Sequence, residues 1–216
     1  MGTEGERLGL RERKKQETRI ALSWAAIRLA VERGLDNVRV EDIAAEAGVS
    51  PRTFNNYFSS KGEAIAARHL DRARLIADEL RARPASEPLW EAIAHAVMAR
   101  FTLRQGAEGQ GAEGAGGQDT PDRQWLDGVR LMTTDPALTG AFLQAATAAE
   151  TELAAAIAER TGADVDRDLY PRLVAGAVGV AIRVSMQQWL HADPPVPINQ
   201  LLRDALRQLS MGLPVP

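Results

Sequence analysis

The stretch Val40-Glu-Asp-Ile-Ala-Ala-Glu-Ala-Gly-Val-Ser-Pro-Arg-Thr-Phe-Asn-Asn-Tyr-Phe-Ser-Ser-Lys61 decides how the rest of the chain is read. Val40, Ile43, Ala44 and Ala47 fall on one helical face over about two turns, and Gly48 stands where a left-handed residue closes a helix. A second short helix starts at once. Ser50 suits its N-cap and Pro51 its first turn, while Val49 and Phe54 have the spacing of a hydrophobic staple. Neither helix is long enough to be stable alone, so both must pack on longer neighbours. The pattern is a helix-turn-helix, whose second helix buries one face and leaves its N-terminal side free for a major groove.

Phe54 and Phe58, four residues apart, supply the buried face. The other positions carry base-edge chemistry: Arg52 for guanine, Asn55 and Asn56 for adenine, and Thr53 through its hydroxyl or methyl. Tyr57 and Lys61 lie beside a helix N-terminus at Ser60 and suit phosphate oxygens. Taken singly, Tyr57 also suits an interior aromatic with its hydroxyl at the rim, and Lys61 a first-turn surface residue. The row as a whole asks for DNA.

Outward from this segment the apolar spacing is helical almost throughout, and no run alternates as a strand would. A first helix is expected from about Leu10 to Arg33, with Ile20, Trp24, Ile27 and Val31 as its stripe and Gly34 as its stop. Ser60 and Glu63 have capping-box spacing, and Ala66, Leu70, Ala73, Ala77 and Leu80 carry a long fourth helix to about Arg83. Pro84 and Pro88 break the pattern. Further helices are expected over 89–104, 123–134, 136–160 (capped by Asp135), 171–191 and 198–209. The expectation is an all-α chain of about nine helices. A three-helix helix-turn-helix domain with a basic N-terminal arm spans 1–67, and a larger helical domain spans 68–216. Residues 106–117, half of them glycine, read as a flexible loop.

Charge divides along the same line. Residues 1–83 hold 16 Lys and Arg against 13 Asp and Glu, whereas 84–216 hold 10 against 16. The basic excess is densest from Arg7 to Arg19, the electrostatic footprint of a nucleic-acid binder or, more plainly, of a solvated terminus. The chain has no cysteine, which excludes zinc ribbons, thiol catalysis and a disulfide framework. No stretch reaches ~18 uncharged apolar residues and Met1 to Leu10 lack the apolar run of a secretory signal, so a cytoplasmic protein without a membrane partner is expected.

The segment from Val40 to Lys61 resembles the DNA-binding domain of the tetracycline-repressor (TetR) family, with a matching pattern over about Arg13 to Ala67. The resemblance implies a homodimeric transcriptional regulator, usually a repressor, whose larger C-terminal domain binds a small molecule and dimerises. By position, it implies that Arg52, Thr53, Asn55 and Asn56 face bases of a double-stranded operator. Tyr57 and Lys61 would hold phosphates, with Ser50 at the start of the reading helix and the basic arm near the backbone. Members often have Thr or Ser at the start of the second helix. Here Arg39 stands there, able to reach a phosphate but unable to cap.

In the C-terminal half, Leu173 to Ile182 carries no charge and is small on one side. With Ile198, Leu202, Ala205 and Leu209 it fits half of a two-fold interface formed by the last two helices, or a buried core within one chain. Candidates for the lining of an effector pocket are Met98, Phe101, Trp125, Leu131, Met132, Phe142, Met186 and Gln187. They imply a mostly apolar effector, with Arg183 and His95 as possible anchors for a polar group. The fourth helix is the expected lever between the domains.

No cofactor or metal site is indicated: His69, His95 and His191 are scattered, and no catalytic motif appears, so an enzyme is not expected. The competing readings are a helical protein–protein interaction module, which leaves Arg52 to Lys61 without a reason, and a sequence-independent DNA binder, which the net charge of −3 disfavours.

Overall fold

A computed structural model describes residues 3–102, 136–192 and 196–214, and over these residues every regular element is helical. The α-helices are α1 (Thr3–Arg33), α2 (Val40–Glu46), α3 (Pro51–Tyr57), α4 (Lys61–Ala82), α5 (Leu89–Thr102), α6 (Thr139–Thr161), α7 (Leu169–His191) and α8 (Ile198–Ser210). Short 3-10 turns precede α2 (Leu35–Asn37) and α6 (Pro136–Leu138). The all-helical expectation is met among the described residues. The helix expected over 123–134 and the glycine-rich 106–117 lie outside them. The basic run that reads as an arm is part of α1, which begins at Thr3 rather than near Leu10.

The chain forms two compact units. Among the described residues, the first holds those up to His69 together with 136–145, and the second holds 70–102, 146–192 and 196–214. The sequence reading divides the chain once, after residue 67. Residues 136–145 also group with the first unit.

In the first unit, α1, α2, α3 and the start of α4 enclose a core of Leu22, Ala26, Leu29, Ile43, Phe54, Phe58 and Ile65. Leu138, from the turn before α6, is buried in the same core. It packs beside Gly62 of α4: a Cβ there would make ordinary contacts, 3.4 Å from Leu138 Cδ2 and 3.5 Å from Ala141 Cβ. Phe142 then packs against the His69 ring at 4.9 Å between centroids. Ser23, fully buried, donates its hydroxyl to the carbonyl of Ala64 at 2.5 Å, tying α1 to α4 inside the core.

In the second unit, α4 and α6 run side by side in register. Arg74 pairs with Glu152 at 3.1 Å and Arg81 with Glu159 at 2.8 Å, each pair 78 residues apart in sequence. Both pairs are solvent-facing, so each contributes at most about 1 kcal/mol. Below them Ile76, Leu80, Ile93, Val97, Leu153 and Ile157 are buried. The break at Pro84 is closed by Arg160, whose guanidinium donates to the carbonyls of Arg83, Pro84 and Glu87 at 3.2, 2.6 and 2.6 Å.

α7 is long and apolar enough by composition to cross a bilayer. Its surroundings give that composition another reason. Val174, Ala175, Val178, Ala181 and Met186 are buried within the unit, while Leu169, Leu173, Val180 and Val184 form an exposed apolar stripe on the other side. α8 packs on α7 and α5. Ile198, Leu202 and Leu206 are buried inside this unit, and the outward side carries Gln200, Arg203, Arg207 and Gln208. Of the residues expected at a two-fold interface, Ile198 and Leu202 are covered by their own chain, Ala205 and Leu209 are partly buried, and the exposed apolar surface lies on α7.

Candidate nucleic-acid interface

The site is assembled from two helices of seven residues each. α2 ends in a Schellman motif: Gly48 takes φ +70°, its N–H reaches the carbonyl of Ala45 at 3.0 Å, and Val49 N–H reaches that of Ala44 at 2.9 Å. A left-handed residue at this point turns the chain without leaving those carbonyls unpaired, and glycine takes that conformation without strain. Ser50 then caps α3, its Oγ accepting from Thr53 N–H at 3.1 Å and lying 2.9 Å from Thr53 Oγ1.

The N-terminus of α2 is held differently. Arg39 occupies the N-cap and makes no side-chain cap, as its chemistry requires. Asp42 supplies the reciprocal half of a capping box, accepting the Arg39 N–H at 2.9 Å. The sequence reading missed Asp42, although its spacing of three from the cap position was visible.

Phe54 and Phe58 lie fully inside the core, their rings 5.7 Å apart. With these two fixed inward, the helical period presents Arg52, Asn55 and Asn56 to solvent, and leaves Thr53 and Tyr57 half-buried at the edge. Alongside runs the N-terminal part of α1. Arg11, Lys14, Lys15 and Thr18 from α1 and Thr53, Asn56 and Tyr57 from α3 line one open groove of ≈ 630 Å³. Cations on one wall and neutral hydrogen-bonding groups on the other suit a sugar–phosphate strand. Other basic side chains of this unit are turned elsewhere: Arg19 lies over the Phe58 ring at 5.3 Å, and Arg28 is paired with Glu46.

Lys61 is not part of the groove wall. Its ammonium donates to the carbonyls of Leu35 at 2.5 Å and Val38 at 3.2 Å.

The structure describes part of the candidate pocket lining. Trp125, Leu131 and Met132 lie outside the described residues. Phe142 belongs to the first unit, beside His69. In the second unit Phe101 and Met186 are buried, Met98 is partly buried, and Arg72 lies over the Phe101 ring at 5.0 Å. The two suggested polar anchors are surface groups. Arg183 is exposed and bonded to Gln187 at 3.4 Å, next to Val184 on the outer side of α7. His95 Nδ1 lies 2.6 Å from Glu87 Oε1, where Glu87 also takes two bonds from Arg83 at 2.7 Å. Glu87 is thereby held well below the usual carboxylate range, at about 2, chiefly by the Arg83 hydrogen bonds. Among the described residues no group of three or more His, Asp or Glu could hold a metal ion.

A short helix pair closed by a glycine turn, with its polar residues and the cations of α1 on one groove, defines a helix-turn-helix DNA-binding protein. Comparison with known proteins agrees. Residues 24–67 match the model of bacterial regulatory proteins of the tetR family, and residues 87–214 match that of the MftR C-terminal domain. The chain is 34% identical over 190 residues to the HTH-type transcriptional regulator TcmR of Streptomyces glaucescens, an alignment covering 86% of this chain and 79% of TcmR. Among solved structures, it resembles Thermus thermophilus FadR, a TetR-family repressor in complex with lauroyl-CoA (TM-score 0.53, 20% identity, 92% of this chain and 96% of that one). It also resembles SmeT, repressor of the Stenotrophomonas maltophilia efflux pump SmeDEF (TM-score 0.56, 16% identity, 92% and 93%). At these identities the structural likeness establishes the fold. The chain belongs to the tetR family of bacterial regulatory proteins and is a DNA-binding transcriptional regulator.

Proposed function

We propose that the protein is a homodimeric repressor that leaves a palindromic operator when a mostly apolar small molecule binds its second unit. The observation that carries the DNA half is the shared groove between Arg11, Lys14 and Lys15 of α1 and Thr53, Asn56 and Tyr57 of α3. In this reading Arg52, Asn55 and Asn56 read base edges in the major groove. Thr53 and Tyr57 stand at the seam, and the α1 cations and Arg39 follow the phosphates. Ser50 contributes through the pose of α3.

The exposed stripe of α7 supports the dimer: Leu169, Leu173, Val180 and Val184 lie along one side of a helix, with Gly176 between them. Burying such a stripe against its own copy gives a two-fold, self-complementary interface. Two reading helices then address half-sites one helical turn, about 34 Å, or a multiple of it apart. An effector that prefers another spacing of those helices lowers operator affinity by its difference in affinity for the two states. The lauroyl chain of the lauroyl-CoA held by the FadR structure of the same fold is the kind of apolar group envisaged, with Met98, Phe101 and Met186 as inner-facing candidates. The setting is the cytoplasm, where the DNA is.

Selection of purified protein against a random pool of duplex DNA at physiological salt tests the proposal. An enriched inverted repeat is the expected result. A folded protein that enriches no sequence overturns it.

A further inference from the structure

The sequence assigns Lys61 to a phosphate, but the structure gives its ammonium other acceptors. We infer that Lys61 is a positioning residue: it closes a loop that contains the whole helix-turn-helix, and so acts on DNA binding through the pose of α2 and α3 rather than by neutralising a phosphate. The inference rests on the DNA-binding reading above.

Leu35 and Val38 bracket the 3-10 turn that joins α1 to α2, and Lys61 opens α4. The bond from Lys61 Nζ to Leu35 O spans 26 residues, and between its ends lie α2, the Gly48 turn and α3. The acceptors are main-chain atoms of buried residues, Leu35 and Val38, and are therefore fixed by the core. The side chain of Lys61 is itself partly buried. An ammonium has three protons, of which two are donated inward at 2.5 and 3.2 Å. The third proton remains, but a swing outward far enough to follow a phosphate would give up two charge-assisted bonds to carbonyls of the first unit. The groove that the α1 cations do line has Tyr57 as its nearest residue in sequence, and Lys61 is absent from it. The clamp therefore fixes where α2 begins relative to where α4 begins, and α3 is carried between those two points.

The chain has only three lysines, Lys14, Lys15 and Lys61, which makes a direct test possible. Amine labelling of the free full-length protein, read by peptide mass spectrometry, is expected to be at least about tenfold slower at Lys61 than at the exposed Lys14, since the reactive free amine must first leave its two acceptors. Adding an enriched duplex is expected to slow Lys14 and leave the rate at Lys61 unchanged. Labelling of Lys61 as fast as Lys14, or a further slowing at Lys61 on adding DNA, overturns the inference. The free-protein comparison needs no DNA, so it stands apart from failure of the DNA-binding reading.

The second arm uses Lys61→Met, which keeps the stem, and Lys61→Arg, which keeps a donor. Well below the melting temperature, Lys61→Met is expected to bind every sequence about tenfold more weakly with an unchanged slope of log K against log salt, and Lys61→Arg to recover most of the loss. A slope smaller by about 0.9 marks a lost phosphate contact and overturns the inference. Unchanged affinity with a lower melting temperature overturns it too, since a merely structural tie would do that.

Discussion

Leu138 packs beside Gly62: its Cδ2 lies 3.4 Å from where a Cβ would stand on Gly62, and Leu138 is 1% exposed in the core of the DNA-binding unit. That unit is therefore completed by a residue from the second half of the chain. Leu138→Ala should destabilise it by about 2–5 kcal/mol, as for other buried leucines. Amide hydrogen exchange along α1 and α4 checks this; unchanged protection there would show that Leu138 is not part of that core.

Removing the cap of the reading helix has a smaller, local cost. Ser50→Ala is expected to lose about 1 kcal/mol, and Asp42→Ala a similar amount at α2. For a domain of this size that lowers the melting temperature by roughly 4–8 °C. Calorimetry of the two variants and their double mutant measures it. Near-additive losses are expected, because each carboxylate or hydroxyl serves a different helix end.

Base reading and phosphate holding separate in the salt dependence. Arg52→Ala should relax preference at one base pair at a cost of ~1–3 kcal/mol, whereas Lys14→Ala should weaken all sequences alike and reduce the salt slope by about 0.9. Titrations of the enriched site and its single-base variants at several salt concentrations distinguish the two. An unchanged preferred site in Arg52→Ala would remove that residue from the reading set.

Gly176 offers a clean probe of the α7 surface, because a Cβ there meets nothing within 4 Å of the chain itself. Gly176→Arg should leave the monomer folded and abolish the dimer, which sedimentation and circular dichroism report together. Gly179 is a poorer probe, since its Cβ would stand 3.4 Å from Glu150 Oε1. A stable Gly176→Arg dimer would place the interface elsewhere.

The Arg83–Glu87–His95 cluster has a pH signature. Glu87 is lowered from 4.5 to about 2 by its hydrogen bonds, first to Arg83. A carboxyl depressed on folding contributes stability that is present above its unfolded value and lost as pH falls toward its folded one. Stability should therefore decline between about pH 4.5 and 2 through this group. Glu87→Gln should flatten that part of the curve, as urea unfolding at stepped pH would show; a curve of unchanged steepness would remove Glu87 from the acid response.

What the sequence made legible was local. The glycine turn, the Ser50 cap and the Phe54–Phe58 face are all written within twenty residues, and each fixes a backbone angle or a helix face by itself. What it hid depends on distant partners. The acceptors of Lys61 are backbone carbonyls, which leave no trace in residue type. Leu138 looks like any apolar residue before a helix, and the core it joins lies far away in the chain. Ile198, Leu202 and Leu206 make an amphipathic stripe whether the covering surface is their own chain or a second copy, so the interface expected for α8 could not be told from a core. The pocket candidates carry the same ambiguity: aromatic and Met residues at helical spacing describe a lining and an interior equally well.

The ladder between α4 and α6 also restricts how either helix can change length. One residue inserted between Glu152 and Glu159 would rotate everything beyond it by about 100° and carry Glu159 away from Arg81. Seven inserted residues bring the phase back to within about 20°. Growth or shrinkage along this ribbon is therefore quantised in pairs of turns.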